Sequence, residues 1–163
     1  MSPNETPHDS HNLAAKLAVE NAAWENLLTQ LETEEQALVN GEADRLAQLN
    51  AAKLAQLNTL GNLARTRQKA LLDAGFSASH AGMEGWLAQQ AQPQLRARWQ
   101  RLCAMELEAQ AANQRIGTLI ELRLASTRQA LNVLIHAATR QGGLYDQAGQ
   151  AVAARSGKPL TAA

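Results

Sequence analysis

The sequence predicts an all-α protein, in which three long helices and a short connector helix form an antiparallel coiled-coil-like bundle ahead of a flexible C-terminal tail. Composition is the first reason, because the 163 residues include 33 alanines and 25 leucines but only 7 valines and isoleucines together. Alanine and leucine lose little on entering a helix, whereas β-branched residues lose side-chain freedom there. Leucine spacing is the second reason, because steps of three and four residues place side chains along one helix face.

The first long helix is expected to begin near residue 10, after a polar segment, residues 1–9, that we expect to be disordered. Every seventh residue of this helix is apolar: Leu17, Trp24, Leu31 and Leu38. A second row, four residues earlier, alternates leucine with Glu20 and Glu34, which we expect at the edge of the seam. The pattern predicts one buried face over about four heptads and fits a two-stranded coiled coil as well as a bundle.

The second long helix is expected to follow a break at "VNGEAD" and to run to about Asp73. Gly41 suits the C-cap of the first helix and Asp44 the N-cap of the second. Two similar stretches within this helix, "RLAQLNA" and "KLAQLNT", are offset by eight residues. Because eight residues advance about 80° around a helix, this echo distributes leucines around the axis and does not build one stripe.

A glycine-containing connector, residues 73–93, is expected to hold the short helix, from Met83 to Ala91, which Pro93 ends. Phe76 and Trp86 are expected to close one end of the bundle. Trp24 and Trp99, on the seams of their helices, are expected in the core.

The third long helix is expected from Gln94 to Thr139, a length of about 70 Å at 1.5 Å per residue. Its predicted seam is Leu95, Trp99, Leu102, Glu106, Ala109, Asn113, Ile116 and Ile120. Two consecutive steps of four, from Ile116 through Leu124, form a stutter, which predicts a bend or a change of packing partner. This helix is longer than the other two, so some of its apolar side chains are expected to lack a partner within the chain.

Several function classes gain no support from the sequence. The net charge is zero, so no basic surface indicates nucleic-acid binding. The histidines lack the spacing of a metal site, and no phosphate-binding loop or nucleophile motif is present. Cys103 is expected to be an inert packing residue. We therefore expect no catalysis, no cofactor and no metal. The absence of a signal sequence or a long apolar run predicts a soluble cytoplasmic protein.

The second half of the third long helix is apolar around much of its circumference. The residues singled out as a candidate partner-binding surface are Ile116, Leu119, Ile120, Leu124, Leu131, Leu134 and Ile135. Such a helix has to be buried on more than one side. One interpretation is that the other two helices cover it, and the other is that it receives an amphipathic helix from another protein; both interpretations can hold for different faces of the helix.

The tail, residues 141–163, begins with two glycines and continues as "LYDQAGQAVAARSGKP". It holds too little apolar surface to fold by itself. One interpretation is a frayed terminus. The other is a docking segment in which Leu144 and Tyr145 are the apolar anchor.

Long helices rich in leucine, glutamine, alanine and glutamate, followed by this tail, resemble the FlgN-type flagellar export chaperones. The similarity in the tail is carried by Leu144, Tyr145, Gly149, Gln150, Gly157 and Lys158. The resemblance implies a small cytoplasmic chaperone that binds the C-terminal helices of the flagellar hook-associated proteins of the hook–filament junction. It also implies that the C-terminal helical half holds this cargo, and that the tail docks on the cytoplasmic domain of the export gate.

A different class of protein stays open at this point, namely a structural coiled-coil protein that acts by self-association. Self-association predicts a stable dimer or tetramer. A chaperone predicts a monomer or a weak homodimer that binds a foreign helix more tightly than it binds itself.

Overall fold

The computed structural model describes the backbone of residues 7–142 and the side chains of residues 12–140. It contains four helices and, in the described residues, no strand: α1 (Pro7–Asn40), α2 (Ala43–Asp73), α3 (His80–Gln89) and α4 (Pro93–Gly142). The chain divides into two compact units, residues 1–120 and residues 121–163. The predicted all-α class, with three long helices and one short helix, is confirmed.

In the first unit α1 and α2 run antiparallel, and the first part of α4 runs parallel to α1. Gln56 of α2 donates to the carbonyl oxygen of Ala23, while Lys53, earlier in α2, reaches Glu34, later in α1. Along α4 the order matches that of α1, because Arg101 contacts Glu25 and the later Arg115 contacts Glu35. These contacts place α1 against both other long helices.

The core of the first unit consists of two clusters. The connector-end cluster contains Leu13, Leu17, Leu71, Met83, Trp86, Leu87, Leu95, Trp99 and Leu102. The turn-end cluster contains Leu27, Leu31, Leu38, Leu60, Ala109, Ala112 and Ile116. Trp24 is half-buried and packs against both clusters, whereas Trp86 and Trp99 are buried. Phe76 packs against the first cluster, as expected for a residue at that end.

The turn between α1 and α2 confirms the predicted break and corrects its cap. Gly41 has φ +76°, a left-handed conformation in which a glycine carries no Cβ penalty. The N-cap of α2 is Glu42 and not Asp44, which lies in the first turn of the helix. The Glu42 carboxylate accepts from Arg45 and Asn40. These hydrogen bonds, that of Arg45 foremost, lower the pKa of Glu42.

The leucines of the eight-residue echo point in different directions, as predicted. Leu46 and Leu49 are half-buried, whereas their counterparts Leu54 and Leu57 are exposed. As a result, polar side chains take the inward positions in the middle of α2, where Lys53 and Gln56 make their contacts with α1.

Several helix boundaries differ from the predicted ones, including the end of α3, which is Gln89 and not Ala91, and the end of α4, which is Gly142 and not Thr139. α1 begins at Pro7, within the segment expected to be disordered, and proline is tolerated in the first turn of a helix. α3 begins at His80 and not at Met83, because Ser79 caps it by accepting from the amide of Gly82. α4 begins at Pro93, one residue earlier than predicted.

The seam of α4 departs from the predicted one after Leu102. The buried residues that follow are Met105, Ala109, Ala112 and Ile116, whereas Glu106 and Asn113 are exposed. The step from Trp99 to Leu102 is three residues, and the next step, from Leu102 to Met105, is again three and not the predicted four. This shift keeps Glu106 and Asn113 out of the core. The predicted seam was therefore wrong at Glu106 and Asn113.

Candidate functional site

The described part of the second unit, residues 121–142, is helix throughout. None of residues 121–140 is buried. The large apolar side chains that this segment exposes are Leu122, Leu124, Leu131, Val133, Leu134 and Ile135. Helices in water normally bury such side chains, and a dense exposed apolar surface marks an interaction site. We call residues 121–140 the exposed segment.

The structure separates the seven residues predicted to bind a partner into two groups. Leu124, Leu131, Leu134 and Ile135 lie in the exposed segment, and each is at least half exposed. Ile116, by contrast, is only 2% exposed and packs in the turn-end cluster with Leu119 beside it. Ile116 is therefore a core residue of the first unit and has no surface to offer a partner. The seventh residue, Ile120, lies between the two groups along the helix and is 40% exposed.

The first unit has a separate apolar groove on its surface. It has a volume of about 400 Å³ and is lined by Trp24, Leu27, Leu31, Lys53, Leu57, Glu106, Ala109, Gln110 and Asn113. Its two ionisable lining residues are Lys53, which is paired with Glu34, and Glu106. The groove is suited to aliphatic side chains, because most of its surface is apolar.

Two ion pairs within the first unit explain the glutamates on the α1 seam. Arg67 donates twice to Glu20, at 2.7 and 3.2 Å, and Lys53 donates twice to Glu34, at 2.8 and 2.7 Å. Both carboxylates are buried, and Glu20 is only 2% exposed. The expectation that these glutamates lie at the edge of the seam was wrong. The sequence signal that could have predicted these buried pairs is a basic residue, Arg67 or Lys53, at an inward-facing position of α2.

The remaining ionisable groups do not assemble a reactive centre. Among the described residues, no three His, Cys, Asp or Glu side chains lie close enough to hold a metal ion. Cys103 is half-buried against the connector-end cluster. Burial, with a smaller contribution from Glu106, raises the pKa of its thiol, which opposes formation of the reactive thiolate.

The predicted docking residues Leu144, Tyr145, Gly149 and Gln150 lie outside the described residues, as does the rest of the tail from residue 143. In the described part of the chain, no helix is both long and apolar enough to cross a bilayer.

Two comparisons with known proteins bear on this arrangement. Residues 1–153 match the family described as FlgN protein. A crystal structure from Pseudomonas aeruginosa, described as a flagella synthesis protein FlgN, superposes with a TM-score of 0.62 at 30% sequence identity. That match covers 82% of this chain and 99% of the other. A comparison with curated protein sequences found no significant match to this chain. The family match spans almost the whole sequence and the fold agrees with it, so the chain belongs to the FlgN family of flagellum-synthesis chaperones.

Proposed function

We propose that this protein is a cytoplasmic export chaperone that binds the C-terminal helices of flagellar hook-associated proteins. In this role it prevents their premature assembly and delivers them to the flagellar type III export gate. The observation that carries the proposal is the exposed segment, a helix whose large apolar side chains all face solvent. Membership of the FlgN family supplies the flagellar context.

The exposed segment is suited to hold a helix. Leu124, Leu131 and Leu134 are spaced by seven and three residues, which places them on one side of α4. An amphipathic helix docks through anchors with this spacing. A bound cargo helix buries these leucines and, at the same time, covers the apolar face through which the cargo polymerises.

Replacement of a leucine in the exposed segment by a charged residue tests the cargo site. We expect Leu131→Glu to weaken binding of a hook–filament junction protein at least about tenfold, because a buried unpaired carboxylate and a lost leucine each oppose binding. Isothermal titration calorimetry of the full-length chain with the purified junction protein measures this change.

The matched control is Leu107→Glu, because Leu107 is a similarly exposed leucine on α4 but lies in the first unit. We expect this control to bind cargo like the unchanged protein. Equal affinities for the Leu131→Glu variant and the unchanged protein would contradict the proposed site. No binding by the unchanged protein would contradict the proposed function for that cargo.

The tail supplies the proposed second contact, with Leu144, Tyr145, Gly149 and Gln150 docking on the cytoplasmic domain of the export gate. A single apolar anchor in a polar segment is typical of a short docking motif. This division of labour leaves the cargo site occupied while the chaperone meets the gate.

The substitution Tyr145→Ala separates the two contacts. We expect it to leave the affinity for the junction protein within about twofold and to weaken binding to the isolated gate domain about tenfold, because it removes the largest apolar side chain of the motif. Both affinities are measured by titration calorimetry with the same protein preparation. A loss of cargo affinity would show that the tail belongs to the cargo site.

Self-association through the exposed segment is the second candidate function, because another copy of the same helix also buries the exposed leucines. It predicts a concentration-dependent dimer in sedimentation experiments, and Leu131→Glu then dissociates that dimer. The proposed chaperone is a monomer or a weak homodimer whose complex with cargo is the tighter one.

A further inference from the structure

The exposed segment carries a regular seam in addition to scattered apolar side chains. Steps of three and four residues connect Leu124, Thr127, Leu131, Leu134 and Ala138. The hydroxyl of Thr127 donates to the carbonyl oxygen of Arg123 at 2.9 Å, so its polar atom is satisfied within the helix. The seam can therefore be covered by another helix without leaving that hydroxyl unpaired.

Positive charge flanks this seam on both sides. At 100° per residue, Arg128 lies about 60° to one side of Leu131, and Arg123 about 80° to the other side. In a heptad frame with Leu124 and Leu131 at position a, Arg128 takes position e and Arg123 takes position g, and Glu121 takes the e position one heptad before Arg128. Residues 121–140 contain three arginines and one glutamate, although the whole chain has no net charge.

A second copy of the segment is a poor partner for this seam. In a parallel pair, position g of one helix faces position e of the next heptad on the other helix. Arg123 of each copy then faces Arg128 of the other copy, so the pair contains two contacts between like charges. An antiparallel pair that sets Leu131 opposite Thr127 of the other copy places the two copies of Arg128 only about 3 Å apart along the helix axis.

We infer that the exposed segment receives a foreign amphipathic helix whose apolar seam is flanked by acidic side chains. Glutamate or aspartate at the flanking positions forms ion pairs with the arginines, whereas lysine or arginine there repeats the repulsion of self-pairing. The inference rests on the proposed function and adds the charge of the cargo helix, which sets specificity as well as the rate of encounter.

A helix is a better match for this surface than an anionic membrane. Membrane-surface helices have polar faces rich in lysine and arginine. Here the side of α4 away from the seam carries Ser126, Gln129 and Asn132 together with the exposed Leu122 and Val133, and Arg140 is its one arginine or lysine among residues 121–140. The arginines at the edges of the seam are positioned to contact the flanking residues of a helix.

The test uses the full-length protein and two synthetic helical peptides with the same leucine seam, one with glutamate at every e and g position and one with lysine there. Like charges keep each peptide from pairing with itself. We expect the glutamate peptide to bind about tenfold tighter than the lysine peptide in fluorescence anisotropy at low salt, and the ratio to shrink at high salt. Arg128→Glu should reduce that ratio at least about threefold.

The matched control is Arg140→Glu, which makes the same change in net charge. Residue 140 is nine positions from Leu131 and hence about 180° around the helix, so this variant should keep the ratio. Equal binding of both peptides, binding of neither, or an equal loss in both variants would overturn the inference.

Two further outcomes would also overturn it. One is tight self-association in sedimentation experiments, and the other is binding to phosphatidylglycerol vesicles that Arg128→Glu abolishes while the peptides are not distinguished. Tight self-association would also favour the second candidate function over the chaperone. The other outcomes do not contradict the chaperone function, which is decided separately by the titration with junction protein and the Leu131→Glu variant.

Discussion

Arg67→Ala is expected to lower the free energy of unfolding by about 3–5 kcal/mol, because it leaves the buried Glu20 carboxylate without its partner. Arg67 holds both oxygens of Glu20, and its guanidinium lies 4.9 Å from the centroid of the Trp99 ring. On the same ring packs His80, with the two centroids 5.3 Å apart. The substitution therefore removes an ion pair and a contact that joins α2 to α4. Urea denaturation followed by circular dichroism measures the loss.

Arg101→Ala is the matched control, since it removes an arginine from an exposed pair with Glu25. Solvent-exposed pairs contribute about 0–1 kcal/mol, so this variant should unfold close to the unchanged protein. A double variant, Arg67→Met with Glu20→Leu, should recover much of the stability, because apolar residues can replace a buried ion pair. A loss below about 1 kcal/mol in Arg67→Ala would show that Glu20 gains access to water when its partner is removed.

Gly82→Ala is expected to lower the free energy of unfolding by about 3 kcal/mol, near the upper end of the usual cost of overpacking. A Cβ at this position overlaps the carbonyl oxygen of Ser77 and lies 2.6 Å from its hydroxyl oxygen. The carbonyl is backbone and cannot rotate away. Relief of the overlap requires Ser77 and α3 to separate, which also strains the cap between Ser79 and the amide of Gly82. Urea denaturation measures this change as well.

Gly85→Ala, on the same short helix, is the control. A Cβ there meets the Phe76 ring at 3.5 Å, an ordinary van der Waals distance. Because alanine restricts the unfolded chain more than glycine does, this variant should be stabilised by about 0.5–1 kcal/mol. Similar destabilisation by both substitutions would indicate that α3 tolerates no added methyl group and that the overlap with Ser77 is not the cause of the loss.

The predictions that were confirmed depend on local properties of the chain. Helix formation follows from the supply of alanine and leucine, and the position of the break between α1 and α2 follows from Gly41. The different directions of Leu46 and Leu54 follow from the helical repeat alone. Each of these features is decided within a few residues, so no knowledge of the partner helices was needed.

The sequence could indicate the exposed segment only in part, namely through the local density of its apolar residues. Its apolar density is visible in the sequence, but the sequence left open whether other helices of the chain bury it. The boundary between buried and exposed positions falls between Ile116 and Leu124, and it depends on how far the packing of the first unit extends. That extent is a property of three helices together.

By itself, the sequence determined that the chain is helical, where its long helices lie and which family it resembles. Only the tertiary structure decided that Met105 is buried and Glu106 is exposed, and that Glu20 and Glu34 enter the core. The physical reason is that a helix with apolar side chains on several sides has more than one possible seam. Neighbouring helices select one of them through the volumes they fill and the cations they supply. Arg67 and Lys53 make the burial of two carboxylates possible from a helix distant in sequence.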